Sequence, residues 1–313
     1  MYTNGHAITK DVADISSRTR HRSVVTGTVM RRMTSSNGSP QPLSARALVM
    51  TVLGEHAYDE VEGVWTTALI YVLGGLGVSE QSARQALSRC AAAGWVDREQ
   101  RGRDTRWRLN ARGRSFVADS IARVYSLTGP QEAWDGRWLV LLVSIPRERR
   151  QARKRLYSAL GWAGFGNPAP GIWLTPHTER ASEARQVIDD LGLADWALSF
   201  VGNSGTIGLS DHDIVRRAWS LDDVAARYRV LLDWYEEQQP AGGDEMLFKQ
   251  IELTGTLGRL PFVDPQLPEQ LLPGWLGREA MARLTQARTA WFGPAHDRWK
   301  EIIAEMTPRS RIR

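Results

Sequence analysis

The chain has 313 residues, with 40 Lys and Arg against 35 Asp and Glu, a net charge of +5 and 42% hydrophobic residues. This is enough chain for two or three domains with sizeable cores, and the composition is that of a globular protein rather than a disordered or fibrous one. One cysteine, Cys90, excludes an intrachain disulfide and fits a reducing, cytoplasmic setting. The six histidines are too scattered for a metal site, and neither a metal nor a cofactor is expected.

Residues 1–42 lack apolar periodicity and carry six basic residues against Asp11 and Asp14. They read as a basic, disordered extension, with no apolar segment of the kind a secretory signal needs. A first ordered domain is expected over 43–127. Ala45–Gly54 and Val64–Leu73 read as helices, the second closed by Gly74 and Gly75. Ser79 is a good N-cap for a third helix from Glu80 to Ala93, which Gly94 stops. Two short strands, Trp95–Gln100 and Thr105–Leu109, flank a hairpin turn of Arg101, Gly102, Arg103 and Asp104. Asn110 then caps a helix through Leu127.

A central domain over 130–209 follows. Arg137–Ile145 reads as a strand and Arg147–Leu160 as a helix. Gly164–Gly166 and Gly171–Leu174 read as strands around a Pro-rich turn, Glu179–Leu191 as a helix and Trp196–Val201 as a last strand. The order βαββαβ is that of a ferredoxin-like unit. Residues 210–313 read as a mainly helical domain. Leu221–Gln238 is its clearest helix, a break follows at Pro240–Gly243, and Gly277–Met306 is expected to be interrupted near Gly293-Pro294. The predicted fold class is therefore α+β. No apolar run is long and continuous enough to span a bilayer as a helix.

Chemistry concentrates in the helix from Glu80. At about 100° per residue, Ala83, Ala86, Leu87 and Cys90 share one stripe, which must face a core. Gln81, Gln85 and Ser88 fall on the opposite face, with Arg84 along one edge and Ser82 and Arg89 along the other. Amides at the centre can pair with base edges, and arginines at the rim can reach phosphates. From Gln81 to Arg114 nine arginines face Asp97, Glu99 and Asp104, a charge of +6 in a chain whose total is +5. A helix-turn-helix followed by an Arg-tipped hairpin is a winged-helix arrangement, with Arg101, Arg103 and Arg106 placed for the sugar-phosphate backbone or minor groove.

Three motifs then occur in order. They are Gly75-Leu-Gly77 with Ala83–Arg89, Gly94-Trp95 and Arg101-Gly-Arg103; Ala133–Trp138 followed by Gly164-Phe-Gly166; and Asp264-Pro265 through Pro273-Gly-Trp275-Leu-Gly277. In these the chain resembles the PaaX-type repressors of phenylacetate catabolism, from about Leu43 to Gly277. The resemblance implies an N-terminal winged helix, a ferredoxin-like central domain and a helical C-terminal domain for effector binding and dimerisation. It further implies a homodimer on double-stranded operator DNA, released by an aryl-CoA or other acyl-CoA thioester. The effector candidates are Arg259, Asp264 and Trp275, and Trp275 and Trp291 are further read as aromatic walls of a ligand cavity. Where the family often has a His and a paired Arg before the Asp-Pro motif, this chain has Gly255 and Gly258, with only Arg259 retained, so the effector pocket is expected to be altered and the ligand's identity does not carry over.

Enzymatic readings fare worse. The central domain also resembles the CRISPR-adaptation nuclease fold, but its first strand, Trp138–Pro146, has no carboxylate to hold a metal. Ser204 lies outside nucleophile-elbow spacing, with no evident His or acid to serve it. Gly205–Gly208 and Gly255–Gly258 read as turns. An architectural nucleic-acid binder would need only Lys and Arg, whereas the amide centre at Gln81 and Gln85 favours sequence readout. No catalytic residue is assigned.

Overall fold

The computed structural model describes residues 40–129 and 133–307. The basic extension expected over 1–42 thus lies outside the described residues as far as residue 39. The chain divides into two compact units, one of 129–227 and 261–277, the other built from 34–128, 228–260 and 278–313.

In the second of these, α1 (Ala45–His56) starts on Ser44, whose hydroxyl accepts from the Ala47 N–H. A two-residue strand, β1 (Val64–Trp65), precedes α2 (Thr66–Gly75). The helix expected from Val64 therefore starts two residues later, because Val64 and Trp65 pair with Trp107 and Arg106. The turn after α2 is built on Gly77 at φ +79°, with Val78 N–H bonded to Leu73 O at 2.9 Å and Gly77 N–H to Gly74 O at 2.9 Å. That is a Schellman closure, which needs the left-handed residue that glycine supplies without strain. It delivers the chain directly to Ser79, N-cap of α3 (Glu80–Ala92).

The hairpin β2 (Val96–Arg101) and β3 (Asp104–Leu109) joins β1 in a sheet of order β1-β3-β2. Asn110 caps α4 (Ala111–Ser126), accepting from Gly113 N–H. Behind these elements lie α9 (Gly243–Leu257) and the later part of α10 (Leu276–Met306). Leu247, Ile251, Ala295, Trp299 and Ile302 share one core with Leu69, Val72, Leu87 and Cys90.

The other unit holds β4 (Trp138–Val143), α5 (Arg150–Trp162), β5 (Gly166–Ala169), β6 (Ile172–Thr175), α6 (Ala181–Asp190), β7 (Ala197–Gly202) and α7 (Asp211–Ala218). The antiparallel sheet runs β5-β6-β4-β7, the ferredoxin-like order. Alternation along β4 sorts its two faces. Leu139, Leu141 and Val143 pack with Leu156 and Leu160 of α5 and Ile188 of α6. Trp138 lies on the other face with Val215, Leu267 and Leu271. A further helix, α8 (Leu221–Glu236), precedes α9.

Two expectations need correction. The final helix is continuous through Pro294 instead of breaking there. The lost N–H bond is outweighed by burial of Ala295, Trp299 and Ile302 just beyond it. Nor is Gly255–Gly258 a turn as a whole, since only Gly258 lies past the end of a helix, as its C-cap. Gly255 lies within α9, where a Cβ would come within 2.4 Å of Leu43 Cδ1, so glycine there permits close packing.

Candidate nucleic-acid interface

The stripe of α3 sits as its spacing demands. Ala83, Ala86, Leu87 and Cys90 are all fully buried, and burial pushes the Cys90 thiol up to about 11, out of thiolate chemistry at neutral pH. Gln81, Arg84, Gln85, Ser88 and Arg89 are exposed along the opposite face. Ser79 orients this helix: its hydroxyl accepts from the Ser82 N–H and donates to Ser82 Oγ at 2.9 Å. Such a cap is worth about 1 kcal/mol. The Ser82 hydroxyl is therefore part of the cap.

The arginines divide by what holds them. Arg84 pairs with Glu80 one turn earlier at 2.8 Å, and Arg101 with Glu99 at 2.6 Å, both at the surface where such pairs exchange readily. Among the described residues Arg89 and Arg103 have no ion-pair partner. Arg103 stands exposed in the two-residue hairpin loop beside Gly102, whose φ of +63° is what this tight turn requires. Arg106 differs. Its guanidinium lies 4.2 Å over the Trp65 ring and bonds the Glu62 carboxylate at 3.0 Å, fastening β3 to the segment before β1. The sequence reading overlooked Glu62 and Glu80 as partners of these cations; the i,i+4 spacing of Glu80 and Arg84 was a legible signal. Arg98, one of the nine arginines but given no role by the sequence, is exposed on β2 with its guanidinium 5.9 Å from the Trp107 ring centre.

The three effector candidates divide between the two units. Asp264 is buried and accepts from Gln266 N–H at 2.8 Å and from Trp275 Nε1–H at 2.8 Å, so these two hold a Pro-rich loop together. Gln266 is the one described non-glycine residue at positive φ, 60°, and that bond from its N–H supports the conformation. Arg259 belongs to the other unit, where it donates to the carbonyls of Gln41 and Pro42 at 3.1 and 3.2 Å. Leu43 fills the place that a side chain at 255 would occupy.

Contrary to expectation, an acid does serve Ser204: Asp211 Oδ1 accepts from its hydroxyl at 2.6 Å. The same oxygen accepts from Trp138 Nε1–H at 2.8 Å. The cluster ties the end of β7 to α7. Asp135, before β4, accepts from both Arg137 N–H and Nε–H, a turn contact. Among the described residues no group of three or more His, Cys, Asp or Glu is gathered as a metal site would need, and no helix is long and apolar enough to cross a membrane.

Comparison with known proteins matches three successive stretches to models of one family. Residues 44–113 match the PaaX-like protein model, 131–214 the PaaX protein central Cas2-like domain and 219–301 the PaaX-like protein C-terminal domain. The chain is 28% identical over 251 residues to the transcriptional repressor PaaX of Escherichia coli (strain K12), covering 76% of this chain and 78% of that one. Its fold is similar to that of an uncharacterized protein from Mycobacterium tuberculosis, with a TM-score of 0.55 at 21% identity, over 83% of this chain and 98% of the other. With all three models of one family matched in chain order and a relative aligned over most of both lengths, the chain belongs to the PaaX-type family.

Proposed function

We propose that this protein is a transcriptional repressor that reads operator DNA through a winged helix-turn-helix spanning 43–127. In this reading α3 enters the major groove. Gln81, Gln85 and Ser88 meet base edges, Arg84 and Arg89 reach phosphates on either side, and Arg101 and Arg103 of the wing meet the backbone. Arg106 holds the wing in place, and Ser82 sets the start of the helix. The observation that carries the reading is the exposed amide-bearing face of α3, backed by a fully buried stripe and followed by a hairpin with an unpaired arginine at its tip. The repressor named among its relatives supports a regulatory role over a catalytic one.

One helix reads too few base pairs to specify an operator, so the repressor acts as a homodimer on an inverted repeat. The outer strand β7 supports this, since it leaves Leu198, Phe200 and Val201 exposed at the sheet edge. The central domain, 130–209, and the C-terminal domain, 210–313, receive an acyl-CoA effector that weakens DNA binding. Leu43 fills the space beside Gly255, so the pocket there departs from the family's and the acyl group is the variable that the test scans. A mobility-shift titration on DNA upstream of the protein's own gene, with and without a panel of aryl- and alkyl-CoA thioesters, tests the whole reading. A retarded complex that one thioester dissolves is expected. Equal affinity for that DNA and for random sequence sinks the repressor assignment, and calorimetry giving equal thioester affinity for free and operator-bound protein sinks the effector.

A further inference from the structure

A second basic segment belongs to the other unit. Residues 147–155 contain Arg147, Arg149, Arg150, Arg153, Lys154 and Arg155 against Glu148 alone, so nine residues carry as much net charge as the whole chain, +5. Leu156 and Leu160 point α5 into the core of its sheet. Arg150 and Lys154, one turn apart, then stand together on the solvent side, and Arg155 flanks them about 100° further round the helix, all exposed. None of these three is in an ion pair among the described residues. Arg149 and Arg153 are held, but by neutral carbonyls, those of Gly192 at 3.0 Å and Ile145 at 3.1 Å, so their charge is not cancelled. No acid occupies the first turn of α5, so cations crowd the helix end that favours anions, and Arg150 and Lys154 repel each other across one turn. This arrangement works against the helix and calls for an external anion.

The shape of the patch restricts which anion. The cations spread over the convex solvent side of a helix whose Leu156 and Leu160 are buried, so Tyr157, 39% exposed, is its one exposed large apolar side chain and too little to insert into a lipid surface. Point charges spread along a convex face suit a repeating line of phosphates. We propose that α5 is a second, sequence-independent contact with the phosphate backbone of double-stranded DNA, a proposal that rests on the DNA-binding reading above.

The test measures binding of the full-length protein to labelled operator and to random duplex DNA across a salt series, for the parent, Arg103→Ala and the triple variant R150A/K154A/R155A. The triple variant should weaken binding to both DNAs alike and lower the log–log salt slope by roughly two to three per subunit. Arg150→Ala and Lys154→Ala alone should each remove about one, and the charge-conserving pair R150K/R155K should keep the parent slope. Relief of like-charge crowding should leave thermal stability equal or raised. A triple variant with the parent's slope and affinity overturns the proposal, as does one that loses only CoA-thioester binding. If the parent binds no DNA at low salt, the repressor reading fails with it; if the parent and Arg103→Ala behave as expected while the triple variant is silent, this proposal alone fails.

Discussion

In the proposed reading, Gln85 and Arg103 make two different kinds of DNA contact, separable at the scale of single side chains. Gln85 is exposed at the centre of the polar face of α3, where its amide can bond adenine in a bidentate way. Gln85→Ala should cost about 1–3 kcal/mol on the operator and relax preference at one base pair, with the salt slope unchanged. Arg103→Ala should instead weaken specific and random DNA alike and lower the slope by about one per subunit, both read by anisotropy titration. The positions of both residues were legible in the sequence, because helical spacing and a glycine-containing hairpin turn are local signals. The commitments of Arg106 to Glu62 and Trp65 were not, because they join residues more than forty positions apart. The same is true of His56, whose Nε2 meets Gln250 Oε1 at 3.0 Å and whose Nδ1 lies 3.4 Å from His296 Nδ1. Burial, only partly offset by the Glu55 charge and the Gln250 bond, pushes His56 from 6.5 down to about 4. Its folded value lies below its unfolded value, so the neutral ring's contribution is complete above pH 6.5 and is lost as pH falls toward 4. The loss should reach about 3 kcal/mol. Urea denaturation from pH 7 to 4 should show a shallower fall for His56→Gln, and equal slopes for parent and variant would remove His56 from that account.

Glycine decided much of what could be read of the elements. Gly77 and Gly94, both at positive φ, end α2 and α3 with the same pair of closing bonds; the stop at Gly94 was legible, whereas α2 runs through Gly74 and Gly75, where the sequence places its end, and closes on Gly77. The rest depended on tertiary context. Val64–Trp65 became a strand because β3 lies alongside, and Pro294 was absorbed because the turns beyond it are buried. Gly113 is a case in which the element needs glycine for space. It lies in the first turn of α4, where a Cβ would fall 2.0 Å from the Trp95 carbonyl oxygen and 3.1 Å from Leu109 Cδ2. The near atom is backbone, so no rotamer change relieves it, and α4 would have to move away from the base of the wing. Gly113→Ala gains helix propensity but should still lose about 1–3 kcal/mol through overpacking, seen as a lower midpoint in thermal melts. A variant as stable as the parent would mean that α4 and the β2 strand shift apart without cost.

For the whole molecule, the question is whether the proposed reading head, 43–127, stands alone. In sequence it looks self-contained, since 43–127 has its own helices, hairpin and caps. Its core, however, is completed by residues more than a hundred positions later. Leu247, Ile251 and Ile302 are fully buried and Trp299 nearly so, in the same cluster as Leu69, Val72 and Leu87. Gly75 at the end of α2 lacks the Cβ that would strike the Phe248 ring at 2.0 Å, so α2 and α9 are fitted to each other. Polar bonds reinforce the join: Glu55 accepts from Gln250 at 2.7 Å and pairs with Arg288 at 2.6 Å, and its side chain is only 4% exposed. Cutting the chain at residue 128 would open the apolar surface that these side chains cover. Each large aliphatic side chain is worth about 1.5–3 kcal/mol on burial, so three of them together reach the scale of a domain's whole stability, about 5–15 kcal/mol. The cut would also strand the Glu55 carboxylate without Gln250 and Arg288. The fragment 40–128 should therefore lack a cooperative thermal transition by circular dichroism, and should bind operator DNA far more weakly than the full chain at equal salt. Adding 243–306 as a separate polypeptide should restore part of both, because those residues supply the missing wall. A fragment that melts cooperatively near the parent's midpoint and binds operator equally well would show that the shared core is dispensable. The C-terminal helices would then have no direct hold on the reading head, and an effector acting through them would need another route.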